Sequence, residues 1–117
     1  MPASSQTIIS STTHNSQDLT PVTVTSNPYK GAGYYGFGFG LQTVSYQTTI
    51  FIGNIKMQAT LASSPVEGDW FDIPETIEDN AVATTASTIY SFTGNFVWVR
   101  ATFTYTAGTV NKISYNY

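Results

Sequence analysis

The sequence predicts an all-β protein: a single antiparallel β-sandwich, jelly-roll-like, with a polar extended N-terminal arm. Three observations carry this. Aromatics make up 15% of the 117 residues, and Thr, Val and Ile are abundant; these side chains fit a pleated, half-buried surface. Ile55, Met57, Ala59 and Leu61 alternate with Lys56, Gln58 and Thr60, the period-2 pattern of a strand with one wet face. No long stretch repeats its apolar residues at helical spacing.

Residues 1–20 are mostly Ser, Thr, Asn and Gln with few apolar anchors. They read as an arm that orders against a neighbour, leaving 21–117 as the sandwich domain. PVTVTS, from Pro21 to Ser26, alternates like a short strand, and its leading proline places it at an edge. SNPYKG is a turn. Leu41–Ile52 and Asn54–Leu61 are two further strands, and Ser63–Asn80 is a long loop. Ala83–Phe92 returns to strand. GNFVWVRATFTY, from Gly94 to Tyr105, is apolar on both faces and belongs in the centre of a sheet. Ala107-Gly108 turns the chain into a last strand. FIGNIKMQAT and FTGNFVWVRA share F-x-G-N before an apolar strand, which suits two sheets each entered through a Gly-Asn kink.

Composition narrows the function. Charged residues are only 9%, the net charge is −3 and there is no cysteine. Disulfide scaffolds, thiolate zinc sites and cysteine nucleophiles are therefore excluded. The four basic residues, Lys30, Lys56, Arg100 and Lys112, are scattered, whereas phosphate-driven nucleic-acid binding needs them clustered. MPASSQTIISSTT has neither a basic n-region nor an apolar h-region, so no signal peptide is expected. No apolar run approaches a membrane span. The expectation is a chain made in a cytoplasm, with no membrane and no nucleic-acid partner.

Gly31, Gly33 and Gly36 match G-x-G-x-x-G, but the dinucleotide turn needs a buried strand before it and a helix after it. SNPYK precedes and GFGFG follows, so no cofactor is expected. Tyr35, Phe37 and Phe39 would instead share one face of an extended segment, with Gly36, Gly38 and Gly40 on the other. Tyr34, Tyr35, Phe37 and Phe39 are thus the docking candidates. They either cap this domain's own core or pack on another subunit; left bare, such a patch invites aggregation.

The lone histidine, His14, sits in the arm, without the packing a catalytic imidazole needs. Glu67, Asp69, Asp72, Glu75, Glu78 and Asp79 crowd one region. A solvated loop, a calcium site and a glycosidase pair all fit that composition, and the solvated loop ranks first because no calcium-loop pattern is present. No metal and no catalytic residue are expected. Trp70 and Phe71 anchor the loop. Trp98 and Arg100, two apart, share a strand face, and Arg100 stacks on an aromatic ring or pairs with Asp69 or Asp72. These four are the expected structural anchors.

Gly53-Asn54, Leu61, Pro65, Asp69-Trp70-Phe71, Ile73, Phe92 to Ala101 and Gly108 to Tyr117 together resemble small virion structural proteins of tailed bacteriophages, cyanophage-like in pattern. The resemblance covers roughly residues 41–117. It implies a β-sandwich on a virus particle. The low charge, the Thr-rich strands, the polar arm and the aromatic-glycine patch fit a decoration or cement protein that docks on the phage head, with the major capsid protein or another virion protein as partner. Homo-oligomerisation is expected, a trimer suiting local threefold positions. The alternative is a tail- or head-fibre module that recognises host surface glycan, with Tyr29, Tyr34, Tyr35, Trp70 and Tyr90 as stacking faces. An enzyme is not expected.

Overall fold

The computed structural model describes residues 6–14, 20–36 and 40–116. Three long strands form its frame: β5 (Leu41–Thr60), β7 (Glu78–Thr93) and β8 (Trp98–Asn116). Short strands complete one antiparallel sheet: β1 (Gln6–Ile9), β2 (Thr12–Thr13), β3 (Val22–Thr25), β4 (Tyr29–Lys30) and β6 (Phe71–Asp72). β5 lies between β7 and β8, and β1 to β4 line the far side of β8 in succession.

The sandwich arises because this sheet folds over on itself. On β5 the buried residues are Gln42, Val44, Tyr46 and Thr48, then Phe51, Ile55, Met57, Ala59 and Thr60. The parity switches at Thr49–Ile50, where the register to both neighbours slips, so a bulge keeps one face inward through the bend. β8 repeats this, with Val99, Ala101, Phe103 and Tyr105 buried before its bend and Val110, Ile113 and Tyr115 after it. β7 gives independent proof. Glu78 and Thr88 would lie about 33 Å apart in a straight strand, yet the Thr88 hydroxyl donates to Glu78 Oε1 at 2.6 Å.

One layer therefore holds the start of β5, the end of β7 and the end of β8, with β1 and β2. The other holds the remainder of β5, the start of β8, and β3, β4 and β6. The shortest extent of the molecule, 21 Å, is that of two layers about 10 Å apart with their outer side chains. Tyr46 bridges them: its hydroxyl donates to the Thr76 carbonyl at 2.8 Å, and Thr76 Oγ1 accepts from Met57 N at 2.9 Å. Burial pushes the Tyr46 phenol well above its ordinary pKa, so it stays a donor.

Several sequence expectations are revised. Leu41–Ile52 and Asn54–Leu61 are one strand, because Gly53 bends β5 without ending it. Ala107-Gly108 likewise bends β8 and makes no turn. The two F-x-G-N strands are not in separate sheets: Met57 pairs with Ala101 and Ala59 with Val99, so they are neighbours in one layer. Ser63–Asn80 is not all loop, since it carries two 3-10 turns, β6 and the start of β7. Of the N-terminal arm, residues 6–14 and 20 are described; β1 and β2 lie along the chain's own β8, with Ile8 and Ile9 in the core. His14 is packed as well. It is 4% exposed, set edge-on to Tyr105, with Nε2 at 2.7 Å from the Thr20 carbonyl.

Ile50 pays for the bend with a φ of 44°, a conformation that β-branched residues resist. Its side chain is 59% exposed, so packing offers no compensation. Ile50→Asn, which tolerates this region, is expected to raise the unfolding free energy by about 1 kcal/mol, read as a shift of the urea midpoint at constant m.

Candidate functional site

Two surfaces concentrate side-chain chemistry, and both belong to the layer of β3, β4, β6 and the first half of β8. The first is an aromatic end. Gly31 N donates to Val97 O and Gly33 N to Phe96 O, each at 2.9 Å. This close backbone contact explains the glycines: a Cβ on Gly33 would stand 2.1 Å from the Asn95 carbonyl oxygen. The chain then turns, with Tyr34 N bonded to Gly31 O, so residues 32–36 are not the extended segment the alternation suggests. The turn lifts Tyr34 and Tyr35 to the surface, 46% and 41% exposed.

Their rings meet edge-on at 5.4 Å, and Tyr34 lies 5.2 Å from the Trp98 ring. Lys30 Nζ sits 4.7 Å over Tyr34, and the Trp98 indole donates to Ser63 O at 3.0 Å. Trp98, Pro28 and Ser63 to Pro65 line an adjoining shallow cavity of about 440 Å³. Two of the four docking candidates thus converge with one of the expected anchors. Phe37 and Phe39 lie outside the described residues.

The second surface is a polar trough on the outer face, where side chains alternate away from the core. Arg100 is its centre. Its guanidinium bonds Glu67 Oε1 at 2.9 Å and Gln58 Oε1 at 2.8 Å, and packs 4.3 Å from the Trp70 ring centre. Gln58 passes the chain on to Asp72 Oδ1 at 2.9 Å, and Lys56 Nζ closes it on Asp72 Oδ2 at 3.0 Å. The hydrogen bond and charge of Arg100 hold Glu67 below its ordinary pKa. Donation from Gln58, then Lys56, does the same for Asp72. Beside the network, Thr23 pairs with Thr104 and Thr25 with Thr102 at 2.8 and 3.0 Å. These residues and Asn54 line a cavity of about 270 Å³.

The sequence-predicted anchors are therefore placed as follows. Arg100 both stacks on an aromatic ring and pairs with a carboxylate, but the carboxylate is Glu67, while Asp72 goes to Lys56. Asp69 instead accepts from Val66 N within its own turn. Trp70 packs on Arg100 and not on the core. Phe71 is 43% exposed and touches Phe96 edge-on. Tyr29 and Tyr90 are not surface platforms: both pack against the core, and Tyr90 donates to Glu78 at 2.9 Å. Lys56, Gln58 and the threonine pairs were missed as a site. The signal for them was the run of polar residues on the wet parity of two strands, which fixes a face but not its neighbours.

Four of the six acids, Glu67, Asp69, Asp72 and Glu78, disperse into separate contacts, and Glu75 and Asp79 are exposed. Among the described residues no group of three His, Cys, Asp or Glu side chains could hold a metal. Among them, too, no helix is long and apolar enough to cross a membrane.

No protein-family model matches the chain, and no curated protein matches it. Among solved structures the chain is similar to the family 29 carbohydrate-binding module CBM29_1 from Piromyces equi, at 10% identity and a TM-score of 0.43, covering 100% of this chain and 93% of that one. It is similar to a chain in the structure of infectious bursal disease virus, Gx strain, at 9% identity and a TM-score of 0.39, covering 97% of this chain and 31% of that one. It is also similar to the C-terminal CBM6 of LamC, a marine laminarinase from Zobellia galactanivorans, at 12% identity and a TM-score of 0.36, covering 80% and 72%. At such scores none of the three transfers a ligand or a partner to this chain.

Proposed function

We propose that this chain is a non-enzymatic structural module of a phage particle, a decoration or cement protein that docks on the head shell through its aromatic end. The observation that carries this is the tile of Tyr34, Tyr35 and Trp98. Two tyrosines more than two-fifths exposed are held by rings and by a glycine-backed turn, not by burial. Rigid aromatics of this kind supply contact area at small entropic cost and are enriched where proteins meet. Pro28, Pro65 and the shallow cavity extend the tile with apolar surface.

The sequence resemblance to small phage virion proteins supplies the partner class, the major capsid protein or another shell protein. Glu67 and Asp72 are each tied to a cation and held in their charged form, which does not suit the proton-donating role of a general acid.

The test is co-sedimentation of the purified chain with phage particles that lack it. Tyr34→Ser with Tyr35→Ser is expected to weaken attachment by at least about tenfold, since central aromatic contacts are worth ~2 kcal/mol or more, while the thermal midpoint stays within a few degrees. Unchanged attachment by the folded double variant overturns the docking role of this end.

A further inference from the structure

We infer a second site on the molecule: the trough between β3, β8 and β5 binds a neutral, hydroxyl-rich ligand, a saccharide unit, independently of the aromatic end. Three properties of the trough specify that chemistry.

Its charge is balanced within itself. Lys56 and Asp72 form one ion pair, Arg100 and Glu67 the other. A phosphate or carboxylate would meet cations already neutralised by Asp72 and Glu67 and be repelled by those carboxylates, whereas a neutral ligand meets no such penalty.

Its lining both donates and accepts. Thr23, Thr25, Thr102 and Thr104 each spend one hydrogen bond on their partner and keep lone pairs. One proton per pair also remains for a ligand. The Asn54 carboxamide opens on the same cavity, exposed and with no hydrogen bond among the described residues. Hydroxyls and a carboxamide are the groups that match sugar hydroxyls in either direction. Hydroxyl pairs elsewhere, Thr13 with Thr109 and Thr43 with Ser91, stabilise the other layer but adjoin no such network.

Its walls are already ordered. The Arg100 side chain is 11% exposed, clamped by Glu67, Gln58 and the Trp70 ring, so little rotamer entropy is lost on binding. Trp70 does not line the cavity itself but backs Arg100, its ring centre 4.3 Å from the guanidinium, so the indole reports on any ligand that reaches Arg100. The cavity of about 270 Å³ lies just below the range of roughly 300–1,000 Å³ that holds drug-sized ligands, so it takes a single sugar ring and not a longer chain.

The test is a two-dimensional NMR titration of the full chain with neutral gluco-, manno- and N-acetylglucosamine oligosaccharides, with sialyllactose and inositol hexakisphosphate as charged comparisons. A neutral oligosaccharide is expected to shift Asn54, Gln58, Arg100 and Thr104 and the Trp70 indole, leaving Tyr34 and Tyr35 unmoved. Asn54→Ala, and separately Thr23→Val with Thr104→Val, are each expected to weaken that binding by about tenfold, the loss of one or two hydrogen bonds. Both changes lie on the outer face, and unaltered resonances in the core verify the fold. The inference is overturned if no neutral oligosaccharide binds, if a charged ligand alone moves these residues, or if the shifts ignore both variants. Because particle attachment is measured separately with Tyr34 and Tyr35, either reading can fail without the other.

Discussion

Gly108→Ala is expected to destabilise the protein by about 3 kcal/mol or more, the sum of a backbone forced out of its preferred region and a steric overlap. Gly108 has a φ of 93°, and a Cβ there would stand 2.3 Å from the Ile50 carbonyl oxygen and 2.7 Å from Phe51 Cα. Both obstacles are backbone, so no side chain can rotate aside. The position is where β8 bends opposite the bulge of β5, and relieving the clash means separating the two central strands. Gly53 faces the same obstacle from the other side, its Cβ position 2.2 Å from Thr104 O. Urea unfolding of the variant checks this; an unchanged midpoint would show that the bend is looser than described.

Phe51→Ala is expected to cost about 3–5 kcal/mol, the range for deleting a buried aromatic. Phe51 is fully buried at the bend of β5. It stacks on Tyr105 at 5.7 Å and meets Phe103 at 6.4 Å. The walls around it are the two bent central strands, which the bulge and the glycines hold in register, so the cavity cannot collapse. A loss under about 1 kcal/mol, the size of a tolerated volume-conserving swap, would mean that the bend does not depend on this cluster.

Much of the fold was legible in the sequence, and the limits have physical causes. Period-2 alternation placed strands at Pro21–Ser26 and Asn54–Leu61, because one wet face leaves its mark on every second residue; the run apolar on both faces, Gly94 to Tyr105, marked the central strand, which begins at Trp98. Alternation cannot show that a strand bends and continues: at Ile50 and Gly108 the parity shifts by one residue, which in sequence looks like an ending. Nor does it reveal a chain that returns to its own sheet. Ile8 and Ile9 are only two apolar residues among Ser and Thr, and their anchoring role depends on β8, a hundred positions away.

For the sites, sharing of a face was legible and contact was not. Trp98 and Arg100 are two apart and share a face as expected. Which carboxylate reaches Arg100 was decided by the 3-10 turn at Glu67–Asp69, a local geometry that six clustered acids do not encode. The spacing of Gly31 and Gly33 matches a nucleotide turn; their actual neighbour is the backbone of Asn95 and Phe96, visible only once the loops are packed.

Docking on a shell is tested most directly by counting this chain in purified phage particles, by quantitative mass spectrometry against the major capsid protein. A decoration protein that follows the symmetry of the shell is expected on the order of hundreds of copies per particle. Absence from the particles would contradict the account, and a count of about a dozen would move the chain from the shell to a neck, tail or fibre.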